Sequence, residues 1–490
     1  MKLTNTKAAA LALAAIMVLA ALAACGETAG TGGDAAPGGA DDAQAAAAEE
    51  TTGSPLEAIP AADYGGYVFR FIHDGNSNDW YDSTLYAEEM TGAILDDTVY
   101  ERNRYVGEKL NISIAAEFSN DSLKKVQNQV QSGSYDYDVS YLHLNDAFNA
   151  SFSGVLYNLY SVQGFDLGSD LWDQDAIESF TFLPGKCWFS NTDLNTNILG
   201  GANLLFFNND MRVNYGLDDF YSLVSDHKWT LSKMYEQAKV VDSDVDGNGK
   251  QNEGDIFGIA AGMGDYAMAM SGANEKFVDI DENYKMIYRV AEASFIEAAE
   301  KVAEMFNDKM TTTIVNNQSW SGTNFQNGLA LFKTASANSL VSTSHDVDFI
   351  YGVLPYPLRA EDQERYISAY ASYVTALSLP LTQEDVSRTA AVVNALSIYS
   401  REYLTDAYYD TTLIGKCARD ENTETVLDLV FAGRLYDYAL IFSNYTGNAW
   451  PAFYESVTKN GTENLASLWE KNHEKVEKAW DKAVEAFESN

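Results

Sequence analysis

Tyr67-Val68-Phe69-Arg70-Phe71-Ile72 runs without a break into His73-Asp74-Gly75-Asn76. The first six residues, rich in aromatic and β-branched side chains, read as a strand. A polar glycine turn at its end is where α/β proteins place ligand groups. Helical spacing follows from Leu95 to Val106, and Ile112-Ser113-Ile114 gives the next strand. Strand, helix and strand in this order form a β-α-β unit, whose usual consequence is a parallel sheet. The pattern repeats with a helix over Ser122 to Gly133 and a strand at Asp138-Val139-Ser140-Tyr141-Leu142, which ends at polar His143, Asn145 and Asp146. The fold class is therefore α/β, beginning with a doubly wound lobe.

Farther along, Asn203-Leu204-Leu205-Phe206-Phe207-Asn208-Asn209 is a buried-type strand, and Trp229-Thr230 opens a helix at Thr230. Asp348 to Pro355 is another strand running into a loop, and the last hundred residues are mostly helical, closing with Glu463 to Glu488. No internal repeat of fixed period is present.

Composition narrows the function. The 490 residues are 46% hydrophobic and 12% aromatic, so most of the chain can bury a core. Against 71 acidic residues stand 32 lysines and arginines, a net charge of −39. That balance repels nucleic-acid backbones and anionic lipid surfaces, which excludes a DNA- or RNA-binding role. No GxSxG, HExxH or P-loop string occurs, and the histidines at 73, 143, 227, 345 and 473 are scattered. With so many acids, a glycosidase-like carboxylate pair chosen from sequence carries no information. Trp172 and Trp188 read as core residues.

The first residues are an export signal. Lys2 and Lys7 precede an uncharged run from Ala8 to Ala24, too short and too alanine-rich for a membrane span. It ends in Leu22-Ala23-Ala24-Cys25-Gly26, which resembles a bacterial lipobox. The resemblance implies a lipid on Cys25 after cleavage, so the membrane would be reached through a lipid anchor alone. Residues 1–24 hold two lysines and no acid, so cleavage takes the net charge from −39 to −41. Residues 25–61 lack aromatics and almost all large aliphatics, and read as a flexible acidic stalk. Cys187 and Cys417 remain, 230 residues apart without a CxxC. They are no zinc site, and buried free thiols are preferred over a single bridge.

A family likeness emerges from the order of several motifs. These are the lipobox, the acidic stalk, Asn203–Asn209 running into Asp210-Met211, Trp229-Thr230, Gly328-Leu329-Ala330-Leu331-Phe332, and Tyr351-Gly352-Val353-Leu354-Pro355-Tyr356-Pro357. Together they resemble an extracellular solute-binding protein of the family 1 type, the capture subunit of bacterial ABC importers. The tail from Tyr408-Tyr409-Asp410 through Cys417-Ala418-Arg419-Asp420 to Gly433-Arg434-Leu435-Tyr436-Asp437 is similar to a block in some members. The resemblance implies a two-lobed periplasmic-binding-protein-like fold of type II, each lobe a mostly parallel sheet flanked by helices, with hinge closure on a ligand. It places the first lobe at 62–195 plus 326–375 and the second at 196–325 plus 376–490. It further implies a monomer outside the cell, no enzymatic activity, a small solute of sugar type, and permease partners.

The sharpest local motif is Asp244-Val245-Asp246-Gly247-Asn248-Gly249-Lys250-Gln251-Asn252-Glu253-Gly254-Asp255. Oxygen ligands fall at loop positions 1, 3 and 5 as Asp244, Asp246 and Asn248. Gly247 permits the turn, the Lys250 carbonyl fills position 7 and Asp255 position 12, a spacing that suits a structural Ca2+. Shifting back by two gives Asp242, Asp244, Asp246 and a terminal Glu253. The first register is preferred because Asp255-Ile256-Phe257-Gly258 follows, as in similar calcium loops of the family. The alternative is a solvated acidic turn without an ion.

For the ligand, rings beside amides and acids suit a carbohydrate. There are 30 tyrosines, and Trp80, Trp320 and Trp450 stand in polar stretches. By position in the resemblance, the candidates are Asp74, Asn76 and Trp80 after the first strand, and His143 and Asn145 after the third. Asp193 near the first crossing, Tyr266 in Gly264-Asp265-Tyr266, and Trp450 complete the set. Lys333-Thr334-Ala335-Ser336 lacks an aromatic ring after Phe332, which leaves the sugar class open. Two other readings are a ligand-sensing subunit for a receptor kinase and a surface-anchored carbohydrate-active enzyme.

Overall fold

The computed structural model describes residues 54–75, 84–315, 323–370, 373–409 and 422–490. Cys25, Asn76, Trp80, Trp320 and Cys417 lie outside the described residues. Two five-stranded sheets carry the architecture. In chain order the strands are β1 (Tyr67–Asp74), β2 (Ile112–Ser119), β3 (Val139–His143), β4 (Phe189–Ser190), β5 (Asn203–Asn208), β6 (Phe257–Gly262), β7 (Thr312–Val315), β8 (Ala330–Ser336), β9 (Tyr351–Leu354) and β10 (Thr375–Ser378). The first sheet has the order β2-β1-β3-β10-β4 and the second β7-β6-β8-β5-β9.

The opening β-α-β reading holds. β1 pairs in parallel with β2 from Tyr67↔Ile112 to Asp74↔Ser119, and with β3 at His73↔Tyr141. Helix α1 (Ile94–Leu110) connects β1 to β2 and buries Val99, Arg102, Val106 and Leu110, one stripe at helical spacing. Arg102 is a charge inside that stripe, tolerated because its guanidinium donates to the carbonyls of Thr84, Leu85 and Leu194 and to Ser400 Oγ. Asn111, at φ 50°, ends the helix, and its N–H caps the Gly107 carbonyl. Helix α2 (Ser122–Ser132) then leads to β3, and α3 (Leu144–Phe152) leaves it.

The chain passes to the second sheet through residues 191–202 and returns through 355–374. The two crossings are bonded side by side. Ala202 bridges to Tyr370, Asn203 Nδ2 donates to the Ala369 carbonyl at 2.6 Å, and Ser368 Oγ donates to the Asn203 carbonyl at 2.8 Å. Asn197 Oδ1 accepts both the Thr375 N–H and its hydroxyl, at 3.0 and 3.1 Å. At Gly201 an added Cβ would lie 2.2 Å from Val374 Cγ2, so this close approach needs glycine.

These crossings correct the expected lobe boundaries. β8 and β9, expected in the first lobe within 326–375, are strands of the second sheet: β8 is antiparallel to β5 at Phe332↔Phe207 and parallel to β6, and β9 is antiparallel to β5 at Val353↔Phe206. Conversely residues 376–378 of β10, expected in the second lobe's 376–490, close onto β3 of the first sheet, at Ala376↔Leu142 among others. The order of motifs along a chain carries no information on which sheet a strand joins.

The stalk also ends earlier than expected. Residues 55–58 form a 3-10 turn capped by Ser54, and Ile59 is 1% exposed in the core. Leu56 and Ile59 are large aliphatic residues packed at the core, a residue type almost missing from the preceding low-complexity sequence.

The C-terminal helices touch both sheets' surroundings. The last helix (Leu465–Ser489) receives the hairpin 278–288 through Trp469 Nε1 and Trp480 Nε1, which donate to the Tyr288 and Tyr284 carbonyls at 3.0 Å each. At its other end Phe487 stacks on Phe182 and meets Phe148 of α3. Trp172 and Trp188 are buried as expected, and Cys187 is a buried free thiol.

Candidate functional site

Hydrogen bonds tie the ends of β1, β3 and β6 to the second crossing. On the first sheet, β1 ends at Asp74 and β3 at His143. The His143 N–H donates to Asp74 Oδ2 at 2.7 Å, which brings these two expected residues together. Asp74 is 4% exposed, and burial pushes its carboxyl up to about 6, with Asp146 adding to the rise and the His143 N–H opposing it. His143 Nδ1 lies 2.5 Å from the Tyr373 carbonyl in the second crossing. A carbonyl only accepts, so Nδ1 carries the proton.

On the second sheet, β6 ends at Gly262 and helix α4 (Asp265–Gly272) begins three residues on. Asp265 accepts from the Gly262 N–H, from Thr334 Oγ1 of β8, and from the Tyr356 hydroxyl at 3.1 Å. Burial raises the Asp265 carboxyl, and these three donors work against the rise. Tyr356 is 2% exposed, follows β9, and shares its surroundings with Tyr373. Asp74, His143, Tyr373, Tyr356, Asp265 and Thr334 thus form a polar seam from one sheet to the other through the second crossing.

The remaining expected residues are placed differently. Asn145 sits half-buried in the first turn of α3, beside the seam. Asp193 lies in the first crossing as expected, but it pairs with Arg401 Nε at 3.3 Å, and Arg401 in turn pairs with Asp170 at 2.7 Å. Tyr266 is 2% exposed, its hydroxyl bonded to Asn307 Oδ1 at 2.6 Å and its ring packed on Phe306 and Tyr454. It is a core residue, and Asp265 before it faces the seam, because one step along a helix turns a side chain by about 100°. Trp450 packs against Phe277 and Tyr454 in the helical layer.

Asp265, Thr334, Tyr356 and Tyr373 were missed as candidates. The signal for two of them stood in the sequence: Asp265 follows a strand by three residues, and Tyr356 follows Leu354-Pro355 directly. Two surface hollows among the described residues, about 200 Å³ beside Tyr235 and Lys301 and about 400 Å³ along Lys471–Lys482, are lined by none of the seam residues.

In the acidic loop, Asp244, Asp246 and Asp255 bring carboxylate oxygens within 4.8 Å of one another. Asp244 accepts the N–H groups of Gly247, Asn248 and Gly249, and Asp255 those of Val245 and Asn252. Asp255 is 1% exposed. Glu253 is exposed, and Asp242 accepts from Thr311 Oγ1 at 2.5 Å, so the two residues that would distinguish the shifted register stand outside the cluster.

No family model matches the sequence, and no curated protein matches it. Solved structures do resemble it. An ABC substrate-binding protein from Listeria monocytogenes in complex with cycloalternan is 13% identical, with a TM-score of 0.53 over 84% of this chain and 98% of that one. The GacH receptor of Streptomyces glaucescens, solved unliganded and with acarbose, is 14% identical, with a TM-score of 0.52 over 84% and 99%. UgpB from Mycobacterium tuberculosis in complex with glycerophosphocholine is 16% identical, with a TM-score of 0.53 over 86% and 99%. At these identities the likeness is one of fold: the chain has the two-lobed α/β architecture of ABC substrate-binding proteins.

Proposed function

We propose that this chain is an extracytoplasmic solute-binding protein that captures a sugar or oligosaccharide between its two sheets and delivers it, chemically unchanged, to the permease of an ABC importer. The observation that carries this reading is the seam itself. Carboxylates, an imidazole and tyrosines from both sheets converge at the crossings, where a solute touching both sides favours the closed arrangement over an open one. The neighbours' complexes with cycloalternan and acarbose support a carbohydrate as the solute class. Cys25 is the proposed lipid anchor, and among the described residues no helix is long and apolar enough to cross a membrane.

The acidic loop is the proposed structural calcium site. Asp244, Asp246 and Asp255 supply clustered carboxylates, with Asn248 and the Lys250 carbonyl at the remaining positions of the loop. The donor set is all oxygen, which fits a hard divalent cation.

Calorimetry against a glycan panel, paired with small-angle scattering, tests the capture reading. A ligand of micromolar or tighter Kd that compacts the protein is expected. Flat titrations with an unchanged scattering profile across the panel would reject it.

A further inference from the structure

Asparagine followed by glycine occurs three times in the chain, at Asn248-Gly249, Asn327-Gly328 and Asn460-Gly461. Such a pair can lose ammonia without an enzyme, because glycine has no Cβ to hinder the approach of its backbone nitrogen to the asparagine side-chain carbonyl. The three surroundings differ. The Gly328 N–H donates to the Phe325 carbonyl at 2.9 Å and the Leu329 N–H to the Asn324 carbonyl at 2.8 Å, so a backbone turn must open before Gly328 reacts. Asn460 is the last residue of the helix Ala449–Asn460, whose final turn must unwind first. Asn248 and Gly249 are exposed and lie outside helix and strand. The Gly249 N–H donates to Asp244 Oδ2 at 2.6 Å, so the movement of one side chain frees the nitrogen and no backbone bond is broken. The Lys250 N–H donates to Asn248 Oδ1 at 2.8 Å and draws electron density from the side-chain carbon, while Asn248 Nδ2 donates to Asp246 Oδ2 at 2.6 Å. These two partners fix which atom of the amide is oxygen and which is nitrogen. Around Gly249, at φ 79°, a Cβ would meet nothing within 4 Å beyond its chain neighbours, which leaves room for a ring.

We infer that Asn248 is a site of spontaneous covalent modification, deamidating through a cyclic imide ahead of the other two Asn-Gly pairs. Solvent base takes the Gly249 amide proton, and the nitrogen bonds to Asn248 Cγ. The bond from Cγ to Nδ2 breaks, and Nδ2 leaves as ammonia with a proton from water. Water then opens the imide. Cleavage at Cγ gives aspartate at 248, and cleavage at the backbone carbonyl of 248 gives isoaspartate, with the chain running through the former side chain. Either product adds one negative charge. Aspartate puts a fourth carboxylate among Asp244, Asp246 and Asp255, whereas isoaspartate lengthens the backbone by one carbon and moves Asp255 out of register with the other two. The consequence for cation binding rests on the calcium reading of the loop; the modification does not.

The test incubates the full chain with a chelator at mildly alkaline pH and follows the three Asn-Gly peptides by mass spectrometry, with aspartate and isoaspartate separated by chromatography. A gain of one mass unit at residue 248 is expected at least fivefold faster than at 327 or 460. Gly249→Ala is expected to slow residue 248 at least tenfold and to leave the other two unchanged. Conversion at 327 or 460 as fast as at 248 overturns the inference, as does an intact Asn248 once a synthetic peptide of residues 244–255 has converted by half. Excess calcium in place of the chelator is expected to slow residue 248 alone, because a cation in the loop draws on the same Asp244 and Asn248 oxygens. A rate indifferent to calcium overturns the calcium reading and leaves the modification standing.

Discussion

The loop 244–255 and the inter-sheet seam both concentrate acidic oxygen, but they are assembled differently. In the loop, twelve consecutive residues bring Asp244, Asp246 and Asp255 together, and neighbouring backbone N–H groups hold them. In the seam, Asp74, His143, Asp265, Thr334, Tyr356 and Tyr373 come from six separate parts of the chain, and only strand register places them. Two of the loop acids are solvated to some degree, whereas Asp74 and the donors around Asp265 are enclosed. A local constellation is cheap to change one residue at a time, and a non-local, enclosed one is not.

The largest difference is expected when a carboxylate is removed from each. Asp265→Ala leaves the Tyr356 and Thr334 hydroxyls and the Gly262 N–H without their shared acceptor, and is expected to cost up to about 4 kcal/mol in urea unfolding. Asp246→Ala, exposed in the loop, is expected to cost less than about 1 kcal/mol in the absence of calcium. Equal costs would erase the comparison.

Next comes pH. The Asp74 carboxyl is raised to about 6 by burial. Between the ordinary aspartate value of about 4 and that point, the folded chain holds a proton that the unfolded chain has released. The contribution is therefore complete below about pH 4 and is lost as pH rises to about 6, a change of about 3 kcal/mol for a shift of two units. Asp437, fully buried and also raised to about 6, adds a fall of the same sign. Asp74→Asn is expected to reduce, without abolishing, the decline of the melting temperature between pH 4 and 6. An unaltered slope would place Asp74 in a solvated site.

Calcium probes the loop alone. With the ion in about hundredfold excess over its Kd, a gain of about 2.7 kcal/mol is expected, reversed by a chelator. Asp255→Ala should abolish the gain and Glu253→Ala should leave it intact. The opposite result would favour the register ending at Glu253. Smaller still, Gly201→Ala puts a methyl group against Val374 where the crossings touch, and about 1–3 kcal/mol of overpacking cost is expected. Differential scanning calorimetry reads it, and a neutral outcome would mean that the crossings separate without strain.

How far the sequence could be read follows the same division. The opening β-α-β-α-β run was legible because each element depends on spacing within about a dozen residues. Strand β1, helix α1 with its stripe of Val99, Val106 and Leu110, and the helix capped by Thr230 all appear where the pattern put them. The polar ends of β1 and β3 were legible for the same reason, and Asp74 and His143 do meet. Tyr266 was misread because a ring in a polar Gly-Asp-Tyr turn looks available until Phe306 and Tyr454 are packed on it. Trp450, half-buried, likewise packs on Phe277 and Tyr454, and Asp193 could not be known to have Arg401 as its partner, more than two hundred residues away.

Sequence alone determined the alternation of strands and helices, the acidic character of the chain, and the spacing of oxygen donors in the loop, since each is a property of residues close along the backbone. Tertiary structure alone decided that β8 and β9 join the second sheet, that β10 returns to the first, and that Tyr373 links the two sets of strand ends. The reason is physical: strand pairing and burial are settled by contacts between distant segments, and those contacts leave no periodic trace in the order of the residues that make them.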